Sequence, residues 1–178
     1  MIRELEFQIL CKRHGNDVFR YALSLLGNQT DAEDATQEVL LRLWNHLPRL
    51  GIFHVKGWLF RTTRNYCLDQ LRGRSRQAGG SFGEDEIPED WPDELAIDPG
   101  VAADSKLRLE QARNVLLKLP ETLRSVFVLY EVNGLRYREI AETLDIPLNT
   151  VKTHLLRARE KLSQLVLKEE TWTTHCKD

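Results

Sequence analysis

With 178 residues, 42% of them hydrophobic and 29% charged, the chain can bury the core of one ordinary domain or of two small ones. A net charge of −2 excludes a uniformly basic nucleic-acid binder, so the distribution of charge has to be read along the chain. There is no apolar run of membrane-spanning length and no charged-then-apolar opening segment, and Cys11, Cys67 and Cys176 are odd in number and far apart; the reading is a reduced cytoplasmic protein without membrane insertion or a disulfide framework.

The N-terminal part reads as helical throughout. Residues 7–26 place Ile9, Leu10, Val18, Tyr21, Ala22, Leu25 and Leu26 at helical spacing, with a break expected near Gly15-Asn16 and a stop at Gly27-Asn28. Thr30 or Asp31 is expected to cap the next helix, whose first-turn acids suit the positive end of the helix dipole. On that helix Ala35, Val39, Leu43 and Leu47 form a core stripe, while Asp34, Gln37, Glu38, Leu41 and Arg42 lie on other faces. A leucine among those charges points to a protein-docking face rather than a merely solvated one. A third helix is expected over residues 55–72, with Trp58, Leu59, Leu68 and Leu71 as core. Arg61, Asn65 and the basic end from Arg72 to Arg76 are read as facing nucleic acid, since cations can hold a backbone while neighbouring groups meet unpaired bases.

Charge is sharply segregated beyond this point. Residues 56–76 hold six basic side chains against one acid, Asp69, whereas residues 84–104 hold nine acids and no lysine or arginine. The acidic stretch also carries Pro88, Pro92 and Pro99 and little periodicity, so it reads as a flexible linker over 79–104. Its negative charge could occupy a basic channel on a partner or discourage DNA binding.

Residues 137–165, YREIAETLDIPLNTVKTHLLRAREKLSQL, read as a helix, a tight turn and a second helix with two unlike faces. Val151, Leu155, Ala158, Leu162 and Leu165 should face inward, against Ile140 and Leu144, with Ala141 small enough to let the helices cross closely. Lys152, Thr153, Leu156 and Arg157, with Asn149 near the start, lie on the other side. Such cations can neutralise phosphates or reach guanine edges, and an exposed leucine can touch a thymine methyl. This is the layout of a helix-turn-helix whose second helix enters the major groove.

DAEDATQEVLLRLW, WLFRTTRNYCLDQLRGRSR and LPETLRSVFVLYEVNGLRYREIAETLDIPLNTVKTHLLRAREKL together resemble the extracytoplasmic function (ECF) group of bacterial RNA polymerase sigma factors. The first two are similar to the family's region 2 and the third to region 4, in order around a variable linker. The resemblance implies an all-α chain of two small helical domains. Residues 1–78 would form the region 2 domain, 79–104 the acidic linker, 105–170 the region 4 helix-turn-helix and 171–178 a tail. It implies that Asp34, Gln37, Glu38, Leu41 and Arg42 dock on core RNA polymerase. Arg61, Arg64, Asn65, Arg72 and Arg74 would meet the −10 element, with a base flipped into a pocket formed by Asn65 and the loop 48–56. Asn149, Lys152, Thr153, Leu156 and Arg157 would read the −35 element. Core polymerase and promoter DNA are the implied partners, an anti-sigma factor is left open, and no cofactor or metal is implied.

The sequence departs from the family pattern at three places. Pro147 and Asn149 stand where serine and glycine are common, so a shifted helix start with Asn149 as cap is expected; Thr153-His154 replaces a commoner Ser-Arg; and His54-Val55 replaces an aromatic. The helix-turn-helix also resembles that of response-regulator activators, which would require alternating strands and helices in residues 1–76. A sigma-like decoy that binds a regulator without reading promoters is a third reading. An enzyme is not expected, because His14, His46, His54, His154 and His175 pair with no acid or cysteine at catalytic spacing.

Overall fold

The computed structural model describes residues 2–50, 54–77 and 103–175, and every regular element among them is helical. In chain order these are α1 (Ile2–Leu26), α2 (Gln29–His46), a 3₁₀ turn (Leu47–Arg49), α3 (Val55–Gln77), α4 (Ala103–Leu117), α5 (Glu121–Phe127), a π-helical turn (Val128–Val132), α6 (Tyr137–Leu144) and α7 (Leu148–His175). No described helix is long and apolar enough to cross a membrane.

α1 runs unbroken through Gly15-Asn16, against expectation. A glycine costs a helix only about 1 kcal/mol relative to alanine, and burial of Val18, Tyr21, Ala22 and Leu25 further along outweighs that cost. The stop is as expected: Gly27 takes φ 71° and donates its N–H to the Leu23 carbonyl at 2.9 Å. The cap of α2, however, is Asn28 rather than Thr30 or Asp31. Its backbone is extended and its Oδ1 accepts from the Asp31 N–H at 3.1 Å. The stripe Ala35, Val39, Leu43 and Leu47 is buried, the last just beyond the helix end in the 3₁₀ turn. α3 is longer than expected and reaches Gln77; Leu59 is fully buried, Trp58, Leu68 and Leu71 partly so.

The acidic linker lies almost wholly outside the described residues, although its last two, Ala103 and Asp104, already belong to α4. α7 continues to His175, well into the segment read as a tail, while Cys176 lies outside the described residues. Its first helical residue is Leu148. The Pro147 carbonyl accepts from the Val151 N–H at 3.1 Å, which places Asn149 inside the first turn and not at the cap. The tight turn before it depends on Asp145, held at φ 56° and ψ 47°, a left-handed conformation that aspartate tolerates better than most residues.

Apolar packing does not stop at the unit boundary. One cluster (Val18, Val39, Leu43, Leu47, Val55, Leu59) belongs to the first three helices alone. A larger one joins Tyr21, Leu25, Phe60 and Cys67 to Val126, Leu129, Leu135, Ile140, Val151 and Leu155. The N-terminal helices therefore share a core with the helix-turn-helix, through a seam where α1 and α3 meet α5 and α6. Burial at this core pushes the Cys67 thiol up to about 12.

Candidate polymerase and nucleic-acid interfaces

The period that buries the α2 stripe leaves the opposite face to solvent. Asp34, Gln37 and Arg42 are exposed, Glu38 is partly exposed, and Leu41 is 60% exposed. Arg42 donates to Glu38 Oε1 at 2.7 Å, and its guanidinium sits 5.3 Å from the centre of the Tyr66 ring. The face is thus an uncovered leucine bordered by an ordered ion pair. Such an exposed i,i+4 pair contributes only about 0.3–0.5 kcal/mol, so Glu38→Arg should leave the helix folded. It should still weaken core-polymerase capture severalfold by reversing the charge beside Leu41. Wild-type co-purification with core, alongside an unchanged circular dichroism melt, would remove the expected docking role from Glu38.

α3 carries the five residues read as contacts to the −10 element, and they are disposed unequally. Asn65 is exposed, and Arg72 is exposed with a loose 3.7 Å approach to Asp69. Arg74 is held within the N-terminal unit by a 2.6 Å ion pair to Asp31. Arg61 and Arg64 instead reach across the seam. The Arg61 guanidinium donates through Nε to the Thr143 carbonyl at 3.2 Å and also to the Glu142 carbonyl. These lie in the last turn of α6, where carbonyls lack helical partners and a cation is favoured. Arg64 grips Glu121 with two parallel hydrogen bonds, 2.8 and 2.7 Å. Burial alone would lower the Arg64 pKa, but the hydrogen bonds and charge of Glu121 raise it. Glu121 also accepts from Ser125 Oγ at 2.6 Å, and Ser125 accepts from the Tyr21 hydroxyl at 2.9 Å. Burial holds that hydroxyl far above the ordinary tyrosine pKa, so it stays a donor. The chain Tyr21–Ser125–Glu121–Arg64 therefore starts and ends in the N-terminal unit and passes through α5. The loop 48–56 is described only at its two ends, residues 51–53 lying outside the described residues.

The helix-turn-helix matches its expected faces. Ile140, Val151, Leu155 and Ala158 are buried, and Leu144, Leu162 and Leu165 are partly so. Asn149, Lys152, Thr153 and Arg157 are exposed, and Leu156 is 58% exposed. Thr153 Oγ1 donates back to the Asn149 carbonyl at 3.0 Å, tying two of these positions together. Among the described residues nothing pairs with Lys152 or Arg157, whereas Arg159 is anchored to Glu131 at 2.6 Å. Arg136 and Arg138, not singled out from the sequence, border a shallow depression with Tyr137, Glu139, Leu148 and Lys152. Their presence in LRYRE at the entry to α6 was the available signal. Glu139 accepts from the Arg136 N–H at 2.6 Å and fixes that entry.

Comparison with known proteins follows the same division. Residues 10–77 match the model of Sigma-70 region 2, and residues 109–162 match that of Sigma-70, region 4. The chain is 34% identical over 166 residues to the ECF RNA polymerase sigma factor SigL of Mycobacterium tuberculosis, covering 90% of this chain and 88% of that one. The chain belongs to the ECF sigma factors. This sigma factor is also 35% identical over 167 residues to SigE of Mycolicibacterium smegmatis, which takes in 92% of this chain but only 63% of the relative's length. Among solved structures it is similar to the sigma factor RpoE of Bartonella quintana, solved in complex with the anti-sigma factor NepR. The TM-score is 0.75 at 25% identity, over 90% of this chain and 96% of that one. The described residues before position 78 are all helical or in short turns, which removes the receiver-domain alternative.

Proposed function

We propose that this sigma factor docks on core RNA polymerase through the exposed face of α2, reads a −35 element with α7, and holds an opened −10 strand with α3. The observation that carries the reading is the exposed outer face of α7, where Lys152, Leu156 and Arg157 have no partner among the described residues and stand on a buried scaffold. It is joined in one chain to the Leu41 face and the arginine-rich α3. Strand opening then needs no bond-making by the sigma factor. The unstacking cost of one or two bases is offset by a pocket that only the open strand can fill, and polymerisation stays with the core enzyme. The work is cytoplasmic, where core polymerase and promoters are found. An anti-sigma factor is a fitting further partner, as RpoE has one.

Runoff transcription with core polymerase on a genomic library tests the whole reading; no promoter-specific product would leave the decoy alternative standing. Asn65 gives the sharper test of opening. Its exposed amide can hydrogen-bond an unstacked base, so Asn65→Ala should leave −35 duplex affinity near wild type and lower open-complex formation about tenfold or more, in line with losing one well-made polar base contact. Equal permanganate reactivity in mutant and wild type would move the pocket elsewhere.

A further inference from the structure

α1 turns outward a stripe that none of the faces on α2, α3 and α7 uses. Leu5, Ile9, Lys12 and Asn16 follow one another at steps of four, three and four residues, and Arg13 and Arg20 run along one flank behind Glu6. All seven side chains are exposed, Leu5 by 60% and Ile9 by 55%. From Leu5 to Arg20 the stripe is roughly 22 Å long. The same steps continue to Phe19 and Leu23, which pack into the core shared with the second half of the chain. One helix-packing seam therefore runs along α1, covered at its C-terminal end and bare at its N-terminal end.

The chemistry of the bare part indicates what would cover it. Steps that alternate between three and four residues are the spacing that a second α-helix meets, and a lysine and an asparagine within such a seam call for polar partners opposite them. Seam and flank together hold three cations against one acid, and that acid, Glu6, lies at the apolar end. Among the described residues Lys12, Arg13 and Arg20 pair with no acid. A nucleic-acid backbone would satisfy these cations but leave Leu5 and Ile9 in water. A second copy of the chain is a poor fit, since it would set Lys12 against itself or against Ile9. We propose that this stripe docks an acidic amphipathic helix of another protein, with apolar side chains on Leu5 and Ile9 and carboxylates on Lys12, Arg13 and Arg20. Its occupation requires neither promoter DNA nor core polymerase.

The test uses the full chain and a labelled synthetic helix of about 20 residues, enough to span the stripe with a turn to spare. The probe carries leucine at alternating three- and four-residue steps and glutamate on both flanks. A scrambled helix of the same composition and a version with lysine for glutamate serve as controls, and binding is read by fluorescence anisotropy. We expect the acidic helix to bind wild type at least tenfold more tightly than either control. Leu5→Ala/Ile9→Ala should weaken it at least tenfold with an unchanged circular dichroism melt. Lys12→Glu/Arg13→Glu/Arg20→Glu should exchange the preference, so that the lysine version binds and the acidic one does not. No preference of wild type for the acidic helix, or equal binding by wild type and both variants, overturns the proposal. So does a wild-type dimer in sedimentation that the Leu5→Ala/Ile9→Ala pair abolishes, which gives the stripe to a second copy. Capture of the chain by phosphatidylglycerol vesicles in place of the acidic helix overturns it as well, in favour of a lipid surface.

Discussion

Phe60→Ala should destabilise this sigma factor by ~3–5 kcal/mol, the usual cost of emptying a buried phenylalanine site. Phe60 is 1% exposed and meets the Tyr21 ring edge-on, with centroids 5.6 Å apart at 79°. That geometry contributes about 0.5–1.5 kcal/mol beyond area burial. Against a total stability on the order of 5–15 kcal/mol, the loss is a large fraction. Thermal unfolding should shift down by about 2–4 °C for each kcal/mol in a chain of this size. Leu41→Ala is the matched contrast, because an exposed leucine with no core contact should change stability by no more than about 0.5 kcal/mol. Calorimetry on the two variants decides it; a Phe60→Ala melt within a degree or two of wild type would mean that the shared core does not exist in solution.

The recognition helix should yield the second large effect. Arg157 and Lys152 are both exposed and, among the described residues, both without a partner, yet their chemistry differs. Arginine can take guanine O6 and N7 together, so Arg157→Ala should cost ~1–3 kcal/mol and relax selection at one base pair. Lysine is a flexible point charge, so Lys152→Ala should weaken promoter and scrambled duplexes alike and reduce the salt slope by roughly one. Arg159→Ala serves as a control, since its guanidinium is tied to Glu131 on the protein. Duplex binding across a salt series separates the cases. If neither Arg157→Ala nor Lys152→Ala shifts binding by more than a few tenths of a kcal/mol, α7 does not read DNA.

What could be read from the chain alone was whatever repeats locally. The stripes of α2 and α7 and the stop at Gly27 follow from helical spacing and from one residue type suited to positive φ. The cap of α2 was misread because Asn28, Thr30 and Asp31 are all competent caps, and only the three-dimensional corner chooses Asn28. The same applies to Asn149, where Leu148 begins the helix one residue earlier. The seam left no local trace. Tyr21 finds Ser125, Arg64 finds Glu121 and Arg61 finds the end of α6 across 57 to 104 residues of chain, and each residue looks ordinary in its own helix. An arginine on a basic helix reads as a nucleic-acid contact whether or not a carboxylate from elsewhere already holds it. The exposure of Lys152, Leu156 and Arg157 was legible because it follows from the helical spacing of α7; the cross-seam partners of Arg61 and Arg64 were not, because they lie far off in the chain.

The shared core also sets an order of events during synthesis. By the time Gln77 leaves the ribosome, the first three helices can bury Val18, Val39, Leu43 and Leu59 among themselves. Tyr21, Leu25 and Phe60 must wait for Val126 and Leu129, about fifty residues later, which at roughly 5–20 residues per second is an interval on the order of 3–10 s. For that interval the nascent chain carries a bare aromatic and aliphatic face. The acidic stretch between the two halves emerges within the same window, and like charge on its nine carboxylates disfavours association of nascent chains while the second half of the core is being made.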